Sequence, residues 1–248
     1  RRRRGRAGEA VTCVVSIKGL SVDAIDCDPG ADGGDIAENE QQRTLRACAG
    51  GPALNVAGAW AEEKVGAFLV QCMHQKIEAL RKAGAEFAAI GSNSPHVVFN
   101  AVKARAPLPL VSIVEAACNK AQEMGVKRLG LMGTAFTMQA DFFQKPFIAK
   151  GMSVVVPEPD DQELIHRRLF TEIELGIIKD STRQELLAVA KRMIDRHRIE
   201  ALILGCTELP LILTKDEFGI PFLNTTAIHA EAMVLTSLGF RPAFPGSA

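Results

Sequence analysis

The stretch Ala85-Glu86-Phe87-Ala88-Ala89-Ile90-Gly91-Ser92-Asn93-Ser94 is echoed by Ile199-Glu200-Ala201-Leu202-Ile203-Leu204-Gly205-Cys206-Thr207-Glu208. Each is an apolar run that stops at glycine and then presents a small nucleophilic side chain, Ser92 in one and Cys206 in the other. The echo continues in Pro109-Leu110-Val111-Ser112 and Pro221-Phe222-Leu223-Asn224. Ser92 and Cys206 lie 114 positions apart and the two prolines 112, so the register holds across the whole unit. Two copies of one strand-turn unit imply two half-molecules facing each other across a cleft, with chemistry at the strand ends.

Working outward, short apolar strands alternate with longer helical patterns. Strands are expected at 86–91, 110–114, 128–132, 153–156, 201–205 and 221–224. Helices are expected at 61–83, 95–104, 115–124, 135–150 (interrupted at Pro146), 160–178, 181–197 and 227–238, with Ser181 and Gln184 forming a capping box. Strands of four to six apolar residues between helices mean parallel sheets covered on both faces. The fold class is therefore α/β, in two pseudo-symmetric doubly wound parallel-sheet halves with the active site in the cleft between them. The expected division puts 56–109 plus 214–248 in the first half and 110–213 in the second, with the terminal helix returning to the first. Residues 1–55 stand apart as an atypical, diverged or disordered segment. They open on four arginines, carry seven acids between positions 23 and 40, and contain one strand-like run at 11–17.

Composition excludes several classes. The 29 basic and 29 acidic residues balance, and no basic-aromatic face emerges, so nucleic acid is not an expected partner. No apolar run reaches the roughly 18 residues of a membrane span. Six scattered cysteines without a CxxC pair, and no signal peptide, fit a reducing cytoplasm, with most cysteines as core fillers. The chain has no G-x-G-x-x-G after a strand, no phosphate-binding P-loop and no H-E-x-x-H, so no nucleotide cofactor is indicated. No metal is expected at Cys206, because no other cysteine or histidine lies at ligand spacing around it.

Three strand-end loops carry candidate chemistry. Cys206 follows glycine at the end of a buried strand, where backbone N–H groups of a following turn are expected to lower the thiol's pKa. Ser92-Asn93-Ser94-Pro95-His96 offers hydroxyl and amide groups at the matching end; Ser94 before Pro95 also fits an ordinary helix cap, and His96 fits a loop hydrogen bond as well as a catalytic role. Gly133-Thr134-Ala135-Phe136-Thr137-Met138 places two hydroxyls three residues apart on a nascent helix, where Thr134 suits a cap. His166, His197 and His229 have helix-face or surface explanations. Cys72 and Cys118 are read as helix fillers.

These motifs resemble the aspartate/glutamate racemase family, in which C-N-T-x-H closes one strand and G-C-T-E-L its partner. The second motif is intact as Gly205-Cys206-Thr207-Glu208-Leu209, and the first reads Ser92-Asn93-Ser94-Pro95-His96. The loop at 133–138, the stretch 157–176 and the close at Asn224-Thr225-Thr226-Ala227-Ile228-His229-Ala230 are also similar. The resemblance runs from about residue 60 to 238. The family's G-G-M-G-like loop and its arginine-bearing loop have no counterpart near the start of this chain. Glu174 stands where some aspartate racemases carry a lysine for the distal carboxylate.

The resemblance implies a cofactor-independent isomerase, needing no pyridoxal phosphate, that moves a proton at Cα of aspartate- or glutamate-like amino acids. Cys206 and Ser92 would serve opposite faces, and Asn93, Ser94, Thr134, Thr137 and Thr207 would hold the α-carboxylate. A cytoplasmic homodimer is expected. Serine at position 92 keeps two alternatives open, since an alcohol is a far weaker proton-transfer group than a thiol. One is a single-cysteine decarboxylase or isomerase resembling arylmalonate decarboxylase. The other is a non-catalytic binder of small carboxylates.

Overall fold

The computed structural model describes residues 12–15 and 63–240; the remainder of the atypical amino-terminal segment lies outside the described residues. Among the described residues, the strands form two all-parallel sheets. The first contains β1 (Thr12–Val15), β2 (Phe87–Ile90) and β3 (Leu110–Val111), in the order β1-β2-β3. The second contains β4 (Arg128–Met132), β5 (Ser153–Val155), β6 (Ala201–Leu204) and β7 (Phe222–Asn224), in the order β5-β4-β6-β7. The helices are α1 (Glu63–Lys82), α2 (Phe99–Lys103), α3 (Ile113–Glu123), α4 (Ala135–Gln139), α5 (Gln144–Ala149), α6 (Pro159–Thr171), α7 (Asp180–His197) and α8 (Thr225–Ser237). None of these helices is long and apolar enough to cross a membrane.

The sequence repeat becomes a structural one. β2 and β6 are buried at every residue, which is why both read as unbroken apolar runs. β3 pairs with β2 as β7 pairs with β6: Ala88 opposes Leu110, and Leu202 opposes Phe222. Even the entry bond is repeated, Ala88 N–H to the Pro109 carbonyl at 2.9 Å and Leu202 N–H to the Pro221 carbonyl at 3.0 Å.

The two halves exchange helices. α3 leaves the first sheet but packs Ile113, Val114, Ala117, Cys118 and Ala121 with Leu129, Leu131 and Ile203 of the second. α8 leaves the second sheet and brings Ala232, Ile228 and Met233 to Phe87, Ala89 and Val111 of the first. The division drawn from sequence thus holds for the two helices and needs correcting for two strands. Leu110–Val111 belongs to the first sheet and Phe222–Asn224 to the second, because each parallel strand pairs with its repeat partner before its helix crosses over. On the outer faces, α1 and α2 bury Met73, Ile77, Phe99 and Val102 against β2, and α6 and α7 bury Ile165, Leu169, Leu186 and Val189 against β6.

Several boundaries differ from the expected ones for local reasons. α3 starts at Ile113, because Ser112 accepts the Glu115 N–H and caps it. Asn224 does the same for α8 by accepting the Ala227 N–H at 3.0 Å. The capping box does not form; Ser181 lies inside the first turn of α7, after Lys179. Pro146 sits in the first turn of α5, where a missing N–H costs little, so the interruption falls before it, between α4 and α5. The helix expected at 160–178 ends at Thr171. A 3₁₀ turn at Ile173–Leu175 follows, closed by Gly176 at φ +75°.

Candidate active site

The carboxyl ends of the inner strands meet closely. A Cβ on Gly205 would lie 2.6 Å from Leu131 Cδ1, and one on Gly133 would lie 3.1 Å from the Gly205 carbonyl oxygen. Glycine before Thr134 and before Cys206 is therefore required by the approach of the β4 and β6 ends. Gly205 N–H donates to the Met132 carbonyl at 2.7 Å, fixing the two loops together.

The hydroxyl groups of two loops converge. Thr137 Oγ1 lies 3.4 Å from Ser94 Oγ and 3.1 Å from Thr134 Oγ1, so the first sheet's loop touches the second's. Thr134 also caps α4 by accepting the Thr137 N–H at 3.2 Å. Ser94 does not cap the 3₁₀ turn that begins with it, so its hydroxyl is engaged across the cleft instead. Asn93 bridges the halves as well: its Nδ2 donates to Thr225 Oγ1 at 3.4 Å, and Thr225 Oγ1 donates to the Leu204 carbonyl at 2.8 Å.

Cys206 is buried at the end of β6, and its Sγ–H donates to Glu208 Oε2 at 3.0 Å. Thr207 Oγ1 donates to the same oxygen at 2.6 Å. Burial pushes the thiol's pKa well above its ordinary value, and the Glu208 charge pushes it further. This reverses the expected lowering. The turn after Cys206 is a three-residue 3₁₀ segment at Leu209–Leu211, and the group nearest the sulfur is an anion. The resting group is a thiol held against a carboxylate.

The matching end is neutral. Ser92 is half-buried, and its Oγ has no hydrogen-bond partner among the described residues. His96 is structural. Its Nε2 accepts the Ile113 N–H at 3.3 Å, so Nδ1–H donates to the Ser92 carbonyl at 2.8 Å. Burial, with His229 nearby, depresses its pKa to about 3. His229, expected on a helix face or surface, is buried and hydrogen-bonds the Val111 carbonyl at 3.0 Å, tying α8 to the first sheet. His166 Nδ1 accepts the Ala135 N–H at 3.4 Å. Cys118 is a buried filler whose Sγ–H reaches the Pro146 carbonyl at 3.4 Å.

The expectation that nothing of metal-ligand type surrounds Cys206 is corrected by Glu174. Ligand atoms of Glu174, Cys206 and Glu208 all lie within 4.8 Å of one another. Spacing of cysteines and histidines could not show this, because two of the three groups are carboxylates and Glu174 arrives from a different element. Glu208 stood in the quoted motif, yet its contact with the thiol depends on the turn geometry. Thr225 gave no signal of its own beyond membership of the closing motif.

Comparison with known proteins fits this arrangement. The broad-specificity amino-acid racemase RacX of Bacillus subtilis is 25% identical over 162 residues, covering 65% of this chain and 69% of RacX. An aspartate racemase homologue from Pyrococcus horikoshii superposes with a TM-score of 0.61 at 32% identity, covering 70% of this chain and 74% of that one. A Yersinia pestis protein provisionally described as an Asp/Glu racemase gives a TM-score of 0.64 at 30% identity, over 75% and 78% of the two chains. The Asp/Glu/Hydantoin racemase model matches residues 33–233. The chain belongs to the Asp/Glu/Hydantoin racemase family.

Proposed function

We propose that this protein is a cofactor-independent amino-acid racemase that moves a proton at Cα, with Cys206 on one face of the substrate and Ser92 on the other. The observation that carries the reading is the 3.0 Å hydrogen bond from Cys206 Sγ to Glu208 Oε2 at a strand end. It gives the thiol a base within direct reach, the relation that proton abstraction by sulfur requires. Glu208 takes the sulfur-bound proton and the thiolate removes the Cα proton. Charge then develops on the substrate carboxylate, and the hydroxyls of Ser94, Thr134, Thr137 and Thr207 stabilise it. Ser92 Oγ–H supplies a proton to the opposite face and is replenished from solvent. Asn93 contributes an acceptor oxygen, which suits the substrate's ammonium group rather than its carboxylate.

The test is exchange in deuterated water, following the α-proton of each enantiomer by NMR alongside optical rotation. Exchange with loss of optical purity supports two-face proton transfer, and absence of exchange from a panel of amino acids overturns it. A specific observation favours a second reading, in which Cys206 works alone. Ser92 Oγ has no base beside it among the described residues, so a decarboxylase or isomerase that uses one thiol to protonate an enolate would need nothing more than the Cys206 end supplies. Carbon dioxide release from a disubstituted malonate would identify that reaction.

A further inference from the structure

Glu172 and Glu174 lie two residues apart and differ completely in their ionic surroundings. Glu172 is buried, and its Oε1 takes Arg168 at 2.7 Å and Lys179 at 3.1 Å while Oε2 accepts from Thr182. Arg168 is further held by both carboxylate oxygens of Glu185 at 2.8 Å. The cations of this segment are thus consumed by other acids. Glu174 has no ion-pair partner among the described residues, and the break after α6 carries its carboxylate to within 4.8 Å of Cys206 Sγ and of a Glu208 carboxylate oxygen. Two carboxylates beside a reactive thiol form a negative cluster with no counter-ion of its own.

A second, independent observation points to a ligand carrying N–H groups. Asn93 is 3% exposed, and its Oδ1 is buried without a hydrogen-bond partner. Its orientation is not arbitrary. Thr225 Oγ1 gives its proton to the Leu204 carbonyl, so toward Asn93 it can only accept, which requires Nδ2 there and leaves Oδ1 as a bare acceptor. A buried acceptor without a donor calls for one from outside the chain. An α-ammonium satisfies it, and Glu174 is left facing the substrate side chain.

We infer that Glu174 selects amino acids with a cationic side chain, the class of ornithine, lysine and arginine, over dicarboxylates. The inference rests on the racemase reading above. A distal carboxylate placed in this cluster meets like charge from Glu174 and Glu208, whereas a distal ammonium or guanidinium supplies the counter-ion the cluster lacks. Glu174 is an exposed residue, so its pairing is partly screened and the selectivity it confers is moderate.

The full chain, pre-treated with EDTA, is assayed for α-deuterium exchange with ornithine, lysine, methionine, aspartate and glutamate. The same panel is run on Glu174→Gln and Glu174→Lys. Cationic substrates are expected to exceed dicarboxylates in kcat/KM by about tenfold or more. Glu174→Gln should cost the cationic substrates about fivefold and leave methionine nearly unchanged. Glu174→Lys should turn the preference toward aspartate and glutamate. Equal loss on methionine and lysine in Glu174→Gln would assign Glu174 to the α-ammonium and overturn the inference. A preference that appears only when Zn²⁺ is restored would do the same, by making the cluster a cation site. Exchange with methionine or dicarboxylates but not with cationic substrates overturns the inference and leaves the racemase reading standing. No exchange with any substrate overturns both.

Discussion

The two strand-end units of this molecule have one backbone and opposite electrostatics. β2 and β6 are equally buried, each receives its neighbour through the same proline carbonyl, and each neighbour ends in a capped helix that crosses to the other half. At the β2 end everything is neutral. Ser92 has no partner for its hydroxyl among the described residues, and His96 is locked as an uncharged imidazole between two backbone groups. At the β6 end the thiol is pressed against Glu208 with Glu174 close by. Duplication preserves what the hydrophobic core needs and leaves the exposed tips free to diverge. One tip has kept a proton-transfer device, and the other holds shape.

The harshest way to break this comparison is to remove the thiol. Cys206→Ala should lower α-proton exchange by about 10⁴-fold, the upper range for one acid–base group. Cys118→Ala, at a buried filler site in α3, should leave exchange unchanged. A Cys206→Ala protein that still exchanges would move the chemistry to the other tip.

Acid stability probes the neutral tip. His96 has a folded-state pKa of about 3 against an ordinary value of 6.5, so the unfolded chain binds a proton that the native chain refuses. Stability is therefore full above pH 6.5 and falls as the pH drops from there toward 3. The loss reaches about 3–5 kcal/mol for this one group, by the 1.36 kcal/mol per pKa unit of linkage. Urea titrations between pH 7 and 4 should show it. His96→Gln should flatten the slope in that range, although its stability at pH 7 will be lower because the Ile113 N–H loses its acceptor.

Much of this was legible in the chain. The repeat announced two parallel sheets, because apolar runs ending in glycine have one inexpensive placement, and Cys206 and Ser92 stand at equivalent strand ends as expected. Helix exchange was half legible. The terminal helix's return was anticipated, but sheet membership of 110–111 and 222–224 is decided by pairing, which a short apolar run does not specify. The charge on the thiol was misjudged for a similar reason. A turn after a strand suggests free N–H groups, yet whether an adjacent glutamate folds back on the sulfur is a matter of side-chain rotamer. Glu174 reached the site through a helix break at Glu172 that helical periodicity across 160–178 concealed.

Ser92→Cys tests whether the silent tip can be woken. A thiol has a pKa several units below an alcohol's, so it transfers protons far more readily. Racemisation should rise by about 10²-fold, most for the enantiomer whose Cα proton faces position 92, and the ratio of the two directions should move toward one. Equal exchange rates before and after the substitution would show that position 92 does not face the substrate.

The smallest expected effect separates the two roles of Glu208. Burial raises the Cys206 pKa first, and Glu208 adds to it through its charge and by holding the S–H. Thiolate forms only as the pH climbs toward that raised value, so exchange by the wild-type protein should increase with pH across the neutral and alkaline range. Glu208→Gln removes the charge while keeping an oxygen that can still accept from Sγ and from Thr207. The thiol pKa must then fall, and the rising limb of the pH–rate profile should shift to lower pH. The rate on the alkaline side should drop by about tenfold, because an amide cannot take up the proton that the carboxylate accepts. The two effects oppose each other near neutrality, so a single-pH assay would show little, and only the full profile distinguishes them. A lowered rate with an unshifted limb would mean that Glu208 shapes the loop without bearing on the sulfur. A shifted limb with an undiminished rate would mean that solvent, rather than Glu208, receives the thiol's proton.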